Sequence, residues 1–563
     1  MATIIDYYPI GVIDHALFNF DEISGVSNFK LSGPVIVSVS DSFTISDFVP
    51  LGISSNVYTS GSSGSAHWTS TQLANIQSIF DTYSQFINVS FGKVVNDSGL
   101  NPAQVGTSSD INISLINRPT LAFSGLTAVA GYDYGYVGSE LDIVLNTAGF
   151  GSTDTSLSTN SWGGHALMHE IGHALGLSHP HSSFVNGVAA LTQDFSATTS
   201  VGFSQLGFQI RSAADMNKEY FTVMSYDDEK PPTGIDTYAQ TPMILDVIAL
   251  QDAYGAGTGT SGASNDVITP GASGVVSAYR TYFDTGGVDQ INLVNYASGA
   301  FINMGVQITG ASHLVGVSMS MADHQLQLNG SEPASLRWFY GEFENCVGSA
   351  GNDQIIGNNL NNVITGGGGN DTIDGVSGLD TCVYSGVLSA YTINSGSSMT
   401  WTVRDTVANR DGTDTLTHIQ RLQFSDAMIA LDIGPTQTAG SAYMLYQATF
   451  NRTPDAAGLG YWIAQLDKGA NIITTVAATF VTSPEFVAKY GSNPSNASYV
   501  DNLYQNVLHR AGESGGVAYW NGQLNTGAAT KAFVLEQFAT LAEGAALVAP
   551  AIAHGIVYQQ WVG

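Results

Sequence analysis

The sequence predicts a multidomain protein: a mixed α/β domain, then a stretch of short strands and tight turns, then an all-α domain. Three observations carry this reading. Between 35 and 255, β-like runs at 35–39, 111–115 and 141–145 alternate with helical-period segments at 71–86 and 163–175, the pattern of a mixed α/β fold. Beyond Gly255 the chain turns rich in Gly, Ser, Asn and Thr, with Val and Ile set between turn residues, as in short strands joined by tight turns. From 437 onward LYQATFNRTPDAAGLGYWIAQL at 445–466 aligns with LYQNVLHRAGESGGVAYWNGQL at 503–524, a constant offset of 58 with helical spacing in both copies. The expected divisions are 1–34 as a leader, 35–255 as the α/β domain, 256–386 as the strand-and-turn region, 387–436 as a β cap with strands near 401–403 and 422–424, and 437–563 as the helical domain.

Composition narrows the function classes. The 563 residues include 16 Lys plus Arg against 46 Asp plus Glu, a net charge of −30. Such a chain repels phosphate backbones and anionic bilayers, which argues against nucleic-acid partners and electrostatic membrane docking and favours cations. Only 11% of residues are charged, against roughly 25% in an average soluble protein. With Cys346 and Cys382 alone, a disulfide framework is excluded. No stretch approaches the ~18–20 apolar residues of a membrane span. The first 25 residues carry no Lys or Arg and no apolar run ending in a small-residue cleavage site, so the expectation is export, if any, without a signal peptide.

The segment HALMHEIGHALGLSHPH at 165–181 carries the chemistry. On a helix His169 and His173 lie one turn apart and face one metal ion, with Glu170 beside them. Gly176 is suited to end the helix, because Gly alone takes positive φ without steric cost, and His179 then supplies a third nitrogen. Leu167, Ile171, Ala174 and Leu175 form the face that anchors the helix. Three neutral nitrogens around zinc leave a fourth position for water, whose pKa falls from about 15.7 toward roughly 7. Glu170 is placed to take the water proton and hand it to a leaving amine.

HEIGHALGLSH is the metzincin zinc motif, and Pro180 together with FTVMSYDD at 221–228 resembles the serralysins. The resemblance implies a secreted zinc endopeptidase, with Met224 beneath the metal and Tyr226 ligating zinc at rest and stabilising the oxyanion during catalysis. It gives His165 no ligand role, so that residue is expected to be a packing or surface histidine. It places 131–146 where relatives have an edge strand that pairs with extended peptide substrates. Relatives also carry a short propeptide, so 1–30 is expected to mask the cleft, with Asp21 in an acidic, solvated leader.

Gly348, Gly357, Gly366 and Gly375 begin the hexapeptides GSAGND, GNNLNN, GGGGND and GVSGLD at a strict nine-residue period. Ile355, Ile364, Ile373 and Cys382 recur in the same register, which Cys346 extends, and read as one inward side chain per unit. These units resemble the RTX repeat, which implies a parallel β-roll with calcium between turns two units apart. On that resemblance Asp353 pairs with Asp371 and Asn362 with Asp380, and Gly348, Gly351, Gly357, Gly366, Gly368, Gly375 and Gly378 supply carbonyls. GNNLNN lacks the motif's Asp, so its site is expected to be weaker or empty. Two coils would separate the cysteines by roughly 9.5 Å, beyond the ~7 Å limit of a disulfide, so free thiols are expected.

Calcium is expected to drive the folding of this region, consistent with export through a type I channel. The helical repeats resemble a domain of unknown function found behind calcium repeats. Their Tyr461/Trp462 and Tyr519/Trp520 pairs read as core, with tethering to a cell-surface polymer left open. The expected function is therefore a secreted zinc endopeptidase acting on protein or peptide substrates. A calcium-dependent surface or matrix protein with a vestigial or single-partner peptidase domain stands as the alternative.

Overall fold

The structure, a computed structural model, describes residues 3–6, 29–40, 68–96, 110–116, 131–133, 141–146, 157–159, 161–177, 184–185, 188–189, 218–225, 238–271, 278–308, 311–328, 333–396 and 400–561. The chain divides into two compact units, Met1–Asn345 and Cys346–Gly563. His179, Tyr226, Asp21 and residues 134–140 lie outside the described residues.

In the first unit β1 (Thr3–Asp6) and β2 (Phe29–Ser32) pair antiparallel. A five-stranded sheet follows, built from β3 (Val37–Ser40), β4 (Val95–Asn96), β5 (Ile111–Ile116), β6 (Gly131–Asp133) and β7 (Leu141–Asn146) in the order β4-β3-β5-β7-β6. Its pairings are parallel except that of β6, which runs antiparallel along β7 at the edge. Val37, Val39, Ile111, Ile113, Ile143 and Leu145 alternate into the core, as period-2 strands demand. β8 (Phe184–Val185) and β9 (Val188–Ala189) form a small hairpin.

Helix α1 (Ser70–Phe86) starts at a reciprocal cap. Thr69 Oγ1 accepts from Gln72 N at 3.2 Å, while Gln72 Oε1 accepts from Thr69 N at 2.9 Å, satisfying two amides the first turn would otherwise leave open. Its buried face is Ile76, Ile79, Phe80, Tyr83 and Phe86, and each large side chain so buried contributes about 1.5–3 kcal/mol before entropy. Helix α2 (Trp162–Ala174) is buried on nearly every side and packs between α1 and the sheet. Helix α3 (Ile244–Tyr254) is apolar almost all round yet carries a buried carboxylate, Asp246.

The rest of this unit is mostly β. β10 (Val267–Ile268) lies parallel to β12 (Gln290–Asn292), and β11 (Ala278–Phe283) parallel to β15 (Ser335–Tyr340). β13 (Phe301–Ile308) and β14 (Ala311–Ser318) form a bulged hairpin beside β15, followed by the short helix α4 (Met321–Leu328). Trp338, Tyr279, Phe301, Phe339 and Phe343 fill its interior.

Five three-residue strands follow, the first beginning on the last residue of the first unit: β16 (Asn345–Val347), β17 (Gln354–Ile356), β18 (Val363–Thr365), β19 (Thr372–Asp374) and β20 (Thr381–Val383). They alternate between two sheets, with β16, β18 and β20 in one and β17 and β19 in the other. Ile355 faces Ile373 and Ile364 faces Cys382 in parallel register. The middle residue of every strand is buried while its flanks are not, so the nine-residue period is the repeat of a roll with one inward side chain per unit. Cys346 and Cys382 are buried free thiols. A hairpin of β21 (Tyr391–Ser395) and β22 (Thr400–Asp405) precedes β23 (Thr413–Thr417), β24 (Arg421–Gln423) and β25 (Met428–Ala430). β23 and β24 add in parallel to β19 and β20.

The helical segment shows the repeat in three dimensions. Helices α5 (Thr438–Phe450), α6 (Ala456–Asp467) and α7 (Pro484–Tyr490) have counterparts in α8 (Asn496–Asn506), α9 (Ser514–Asn525) and α11 (Ala542–Ile552), each beginning 58 residues later; α10 (Lys531–Thr540) lies between the last two. Arg452 pairs with Glu485 at 2.8 Å, and Arg510 pairs with Glu543 at 2.6 Å. Trp462 packs edge-on against Phe480, and Trp520 packs tilted against Phe538, so both tryptophans serve the core. Tyr519, by contrast, is 57% exposed. β26 (Ile556–Tyr558) returns to pair with β25. Gly460 admits it, since a Cβ there would stand 1.8 Å from Gln559 O. No single helix among the described residues is long and apolar enough to cross a membrane.

Candidate metal centres

The fold first prepares the ends of α2. Ser161 Oγ accepts from Gly164 N at 3.1 Å at the N-terminus. At the C-terminus Gly176 adopts φ +105°, its N–H donates to His173 O, and Leu177 N–H donates to Gly172 O, both at 2.9 Å. This is the Schellman closure that a glycine at this position permits. It turns the chain at Gly176, three residues after His173 and three before His179.

Within the helix the histidines are locked. His169 Nδ1 donates to Val223 O and His173 Nδ1 to Leu177 O, each at 2.7 Å. A carbonyl only accepts, so each ring carries its proton on Nδ1 and its lone pair on Nε2. The rings stand 4.7 Å apart, edge to face. Burial pushes His173 down to about 3, the neighbouring His169 adds to this, and the Leu177 carbonyl opposes it. Glu170 is buried with them. Two imidazoles whose Nδ1 atoms are engaged by carbonyls, beside Glu170, fit zinc, which takes histidine through the other ring nitrogen.

The segment 218–225 is held from three sides, by α2, α3 and β15. Met224 is buried, and a methyl group on Gly172 would lie 2.7 Å from its Sδ, so the absence of a side chain at 172 lets this turn approach the helix. Asp246 accepts from Thr222 Oγ1 at 2.5 Å and from Val223 N and Met243 N at 2.8 Å each. Burial nevertheless holds Asp246 up at about 7, against the pull of those three bonds. Trp338 Nε1 donates to Tyr220 O at 2.6 Å. Val223, whose carbonyl orients His169, is thus tied to α3 through a carboxylate that sequence patterning leaves hidden on an apolar helix.

His165 is a packing histidine. It is buried, with Nε2 3.3 Å from Glu219 Oε1, and burial pushes it down to about 4, partly offset by the Ala239 backbone. At neutral pH the His165 ring in this contact is therefore uncharged. The described residues bring together His169, Glu170, His173 and Met224.

The RTX turns form a second centre. Asp353 N donates to Asp371 Oδ1 at 2.8 Å, and Asn362 N to Asp380 Oδ1 at 2.9 Å, each across 18 residues. Asp371 Oδ2 and Asp380 Oδ2 are buried without a hydrogen-bond partner. Burial holds Asp371 up at about 8, with Asp414, Asp353 and Asp411 adding repulsion; burial likewise raises Asp380 to about 6. The turns leave no room for side chains, since a Cβ on Gly348 would stand 2.2 Å from Gly366 O and one on Gly357 2.8 Å from Gly375 O. Buried carboxylate oxygens amid carbonyls fit a hard cation such as calcium. Asn362 instead closes its own turn, donating from Nδ2 to Asn358 Oδ1 and accepting from Asn358 N.

A third centre escapes the nine-residue reading. Asp266, Asp284 and Asp289 bring carboxylate oxygens within 4.8 Å of one another. Asp289 is fully buried with Oδ2 unpartnered; burial raises it to about 6, and Asp284 and Glu344 add repulsion. The local signal is DTGGVD at 284–289, with Gly286 and Gly287 both at positive φ.

A family model described as RTX calcium-binding nonapeptide repeat matches residues 347–382, and a domain of unknown function, DUF4214, matches 435–476 and 477–548. Metallopeptidase AprA of Pseudomonas marginalis is 28% identical over 323 residues, covering 55% of this chain and 59% of its own. Serralysin B of Dickeya chrysanthemi is 25% identical over 260 residues, covering 43% and 48%. Serralysin of Proteus mirabilis is 27% identical over 303 residues, covering 50% and 52%. The chain spans about half the length of these relatives and is homologous to serralysins over that part.

Proposed function

We propose that the chain is a secreted zinc-dependent endopeptidase that hydrolyses peptide bonds in extracellular proteins and is stabilised by calcium. The observation that carries this reading is the pair of buried imidazoles at His169 and His173, with Nδ1 of each engaged by the Val223 or Leu177 carbonyl and with Glu170 beside them. His169, His173 and His179 would hold zinc, with Tyr226 as a further ligand at rest. Bound there, zinc would supply Lewis acidity toward water and the scissile carbonyl.

Glu170 takes the proton of the attacking water and delivers it to the departing amine. Tyr226 donates its hydroxyl to the developing oxyanion. Met224 packs against Gly172 and keeps the segment leading to Tyr226 close to the helix. The edge strand β6 offers backbone groups to an extended substrate, a mode that reads side chains weakly.

Calcium would occupy the site between the turns of Asp353 and Asp371, more weakly or not at all the one between Asn362 and Asp380, and the cluster of Asp266, Asp284 and Asp289. Folding coupled to external calcium suits release by a type I route, and residues 1–30 would mask the cleft until removed. Removing zinc with a chelator should abolish casein hydrolysis, and stoichiometric zinc should restore it. Full activity in demonstrably zinc-free protein would refute the assignment.

A further inference from the structure

Resting on the calcium reading of the roll, we propose that the ladder of calcium turns does not end at residue 380 but continues through a further turn at 409–414, outside the nonapeptide register, which binds one more calcium ion together with the turn at 366–371.

The argument is a repeated set of contacts at a new spacing. Within the roll, Asp353 N donates to Asp371 Oδ1 at 2.8 Å, Asn370 N to Asn352 Oδ1 at 2.8 Å, and Thr372 N to Asp353 O at 2.9 Å, all across 18 residues or one residue more. The same three contacts recur one rung further. Asp371 N donates to Asp414 Oδ1 at 3.0 Å, Thr413 N to Asn370 Oδ1 at 2.9 Å, and Thr415 N to Asp371 O at 2.8 Å. Asp414 thus stands to Asp371 as Asp371 stands to Asp353. Eighteen has become 43 because the hairpin of β21 and β22 is inserted ahead of the turn, and parallel pairing of β19 with β23 carries the register across.

The space between these two turns is that of a cation site. Gly412 takes the place of Gly369, both at positive φ, and a Cβ on Gly412 would stand 1.7 Å from Gly369 O, as one on Gly369 would stand 2.6 Å from Gly351 O. Arg410 O comes within 3.2 Å of a Cβ placed on Gly368. Two carbonyls therefore enter the gap. Asp371 and Asp414 are 1% and 2% exposed, and Asp371 Oδ2, unpartnered, lies over the first residue of its turn, 2.2 Å from where a Cβ on Gly366 would be. The nearby Arg410 is taken by Asp405 through bonds of 2.6 and 2.7 Å, and among the described residues no basic side chain pairs with Asp371 or Asp414. Adjacent buried carboxylates without a countercharge call for a dication with oxygen preference.

The other edge supplies the control. There the next contact runs from Asp380 N to Gln420 Oε1 at 2.7 Å, so a neutral amide stands where Asp414 stands on the first edge.

The test counts calcium per full-length chain after equilibration in defined free calcium, in wild type, Asp414→Asn, Asp353→Asn and Gln420→Ala. Asp414→Asn should lose one ion and Gln420→Ala none. Loss in Asp353→Asn but not in Asp414→Asn would overturn the further turn while leaving the roll intact. A wild type that binds no calcium in the roll would remove the underlying reading. Should Asp414→Asn not fold, wild-type crystals grown in calcium decide: an anomalous peak between Asp371 and Asp414 supports the site, and its absence beside occupied RTX turns rejects it.

Discussion

The histidine site on α2 and the carboxylate turns of the roll hold their candidate metals on opposite plans. Around His169 and His173 the protein finishes the geometry itself: tautomers are set by carbonyls, the helix end is closed by Gly176, and the facing segment is tied down by Asp246. Around Asp371, Asp380 and Asp414 like charges are packed together and two carboxylate oxygens lie buried without partners. In the first the protein itself holds the two rings in place; in the second it packs carboxylates whose repulsion a bound cation would relieve. A catalytic centre gains from rigidity before the metal arrives, whereas a stabilising centre gains from making folding conditional on its ion.

The largest consequence of that contrast is expected on calcium removal. Chelation should open residues 346–432 to amide exchange while α2 keeps its protection, and each calcium site should contribute about 2.7 kcal/mol at a calcium concentration one hundred times its Kd. Equal loss of protection in both regions would break the comparison.

The two regions should also answer pH differently. Asp371, Asp414 and Asp380 are held up at about 8, 7 and 6, chiefly by burial. Their contribution to the calcium-free fold is complete below about pH 4 and is lost as pH rises through 6 to 8, so the calcium-free roll should weaken across that window and its gain from calcium should grow. In the first unit the signs oppose. His165 and His173, pushed down to about 4 and 3, lose their contribution as pH falls below 6.5, while Asp246, up at about 7, loses its own as pH rises from about 4 to 7. Exchange-derived stability between pH 5 and 8 should therefore be flatter around α2 than in the roll.

A smaller effect sharpens the first half of the contrast. Asp246→Ala strands the Thr222 hydroxyl and the Val223 and Met243 amides, and an unmet buried donor costs about 1–3 kcal/mol. The variant should lose about 2–4 kcal/mol, and zinc affinity should fall roughly 10–100-fold through the loosened Val223 carbonyl. Unchanged zinc affinity would show that α2 alone preorganises the site. The smallest effect concerns the thiols. Burial raises both Cys346 and Cys382, so the calcium-loaded chain should resist alkylation and both should react once calcium is withdrawn.

Features encoded within one stretch of chain were legible in the sequence: the span of α2, the stop at Gly176, and the inward register of Ile355, Ile364, Ile373 and Cys382. The serralysin resemblance likewise agrees with the homologues found. Features made by distant residues were not. The carboxylate of Asp246 meets the backbone of Val223 across 23 residues, and α3's apolar pattern gives no hint of it. The turn at 409–414 hides because an inserted hairpin breaks the period that would reveal it. The cluster of Asp266, Asp284 and Asp289 hides because Asp266 lies on a separate turn from the DTGGVD segment that carries the other two.

The central claim is that Glu170 acts as the proton carrier of a zinc site built on α2. Its most direct test is Glu170→Gln, with zinc content and casein hydrolysis measured on the same sample. Retention of one zinc per chain with hydrolysis reduced about 10²–10⁴-fold is the predicted result; hydrolysis equal to wild type with zinc still bound would contradict it.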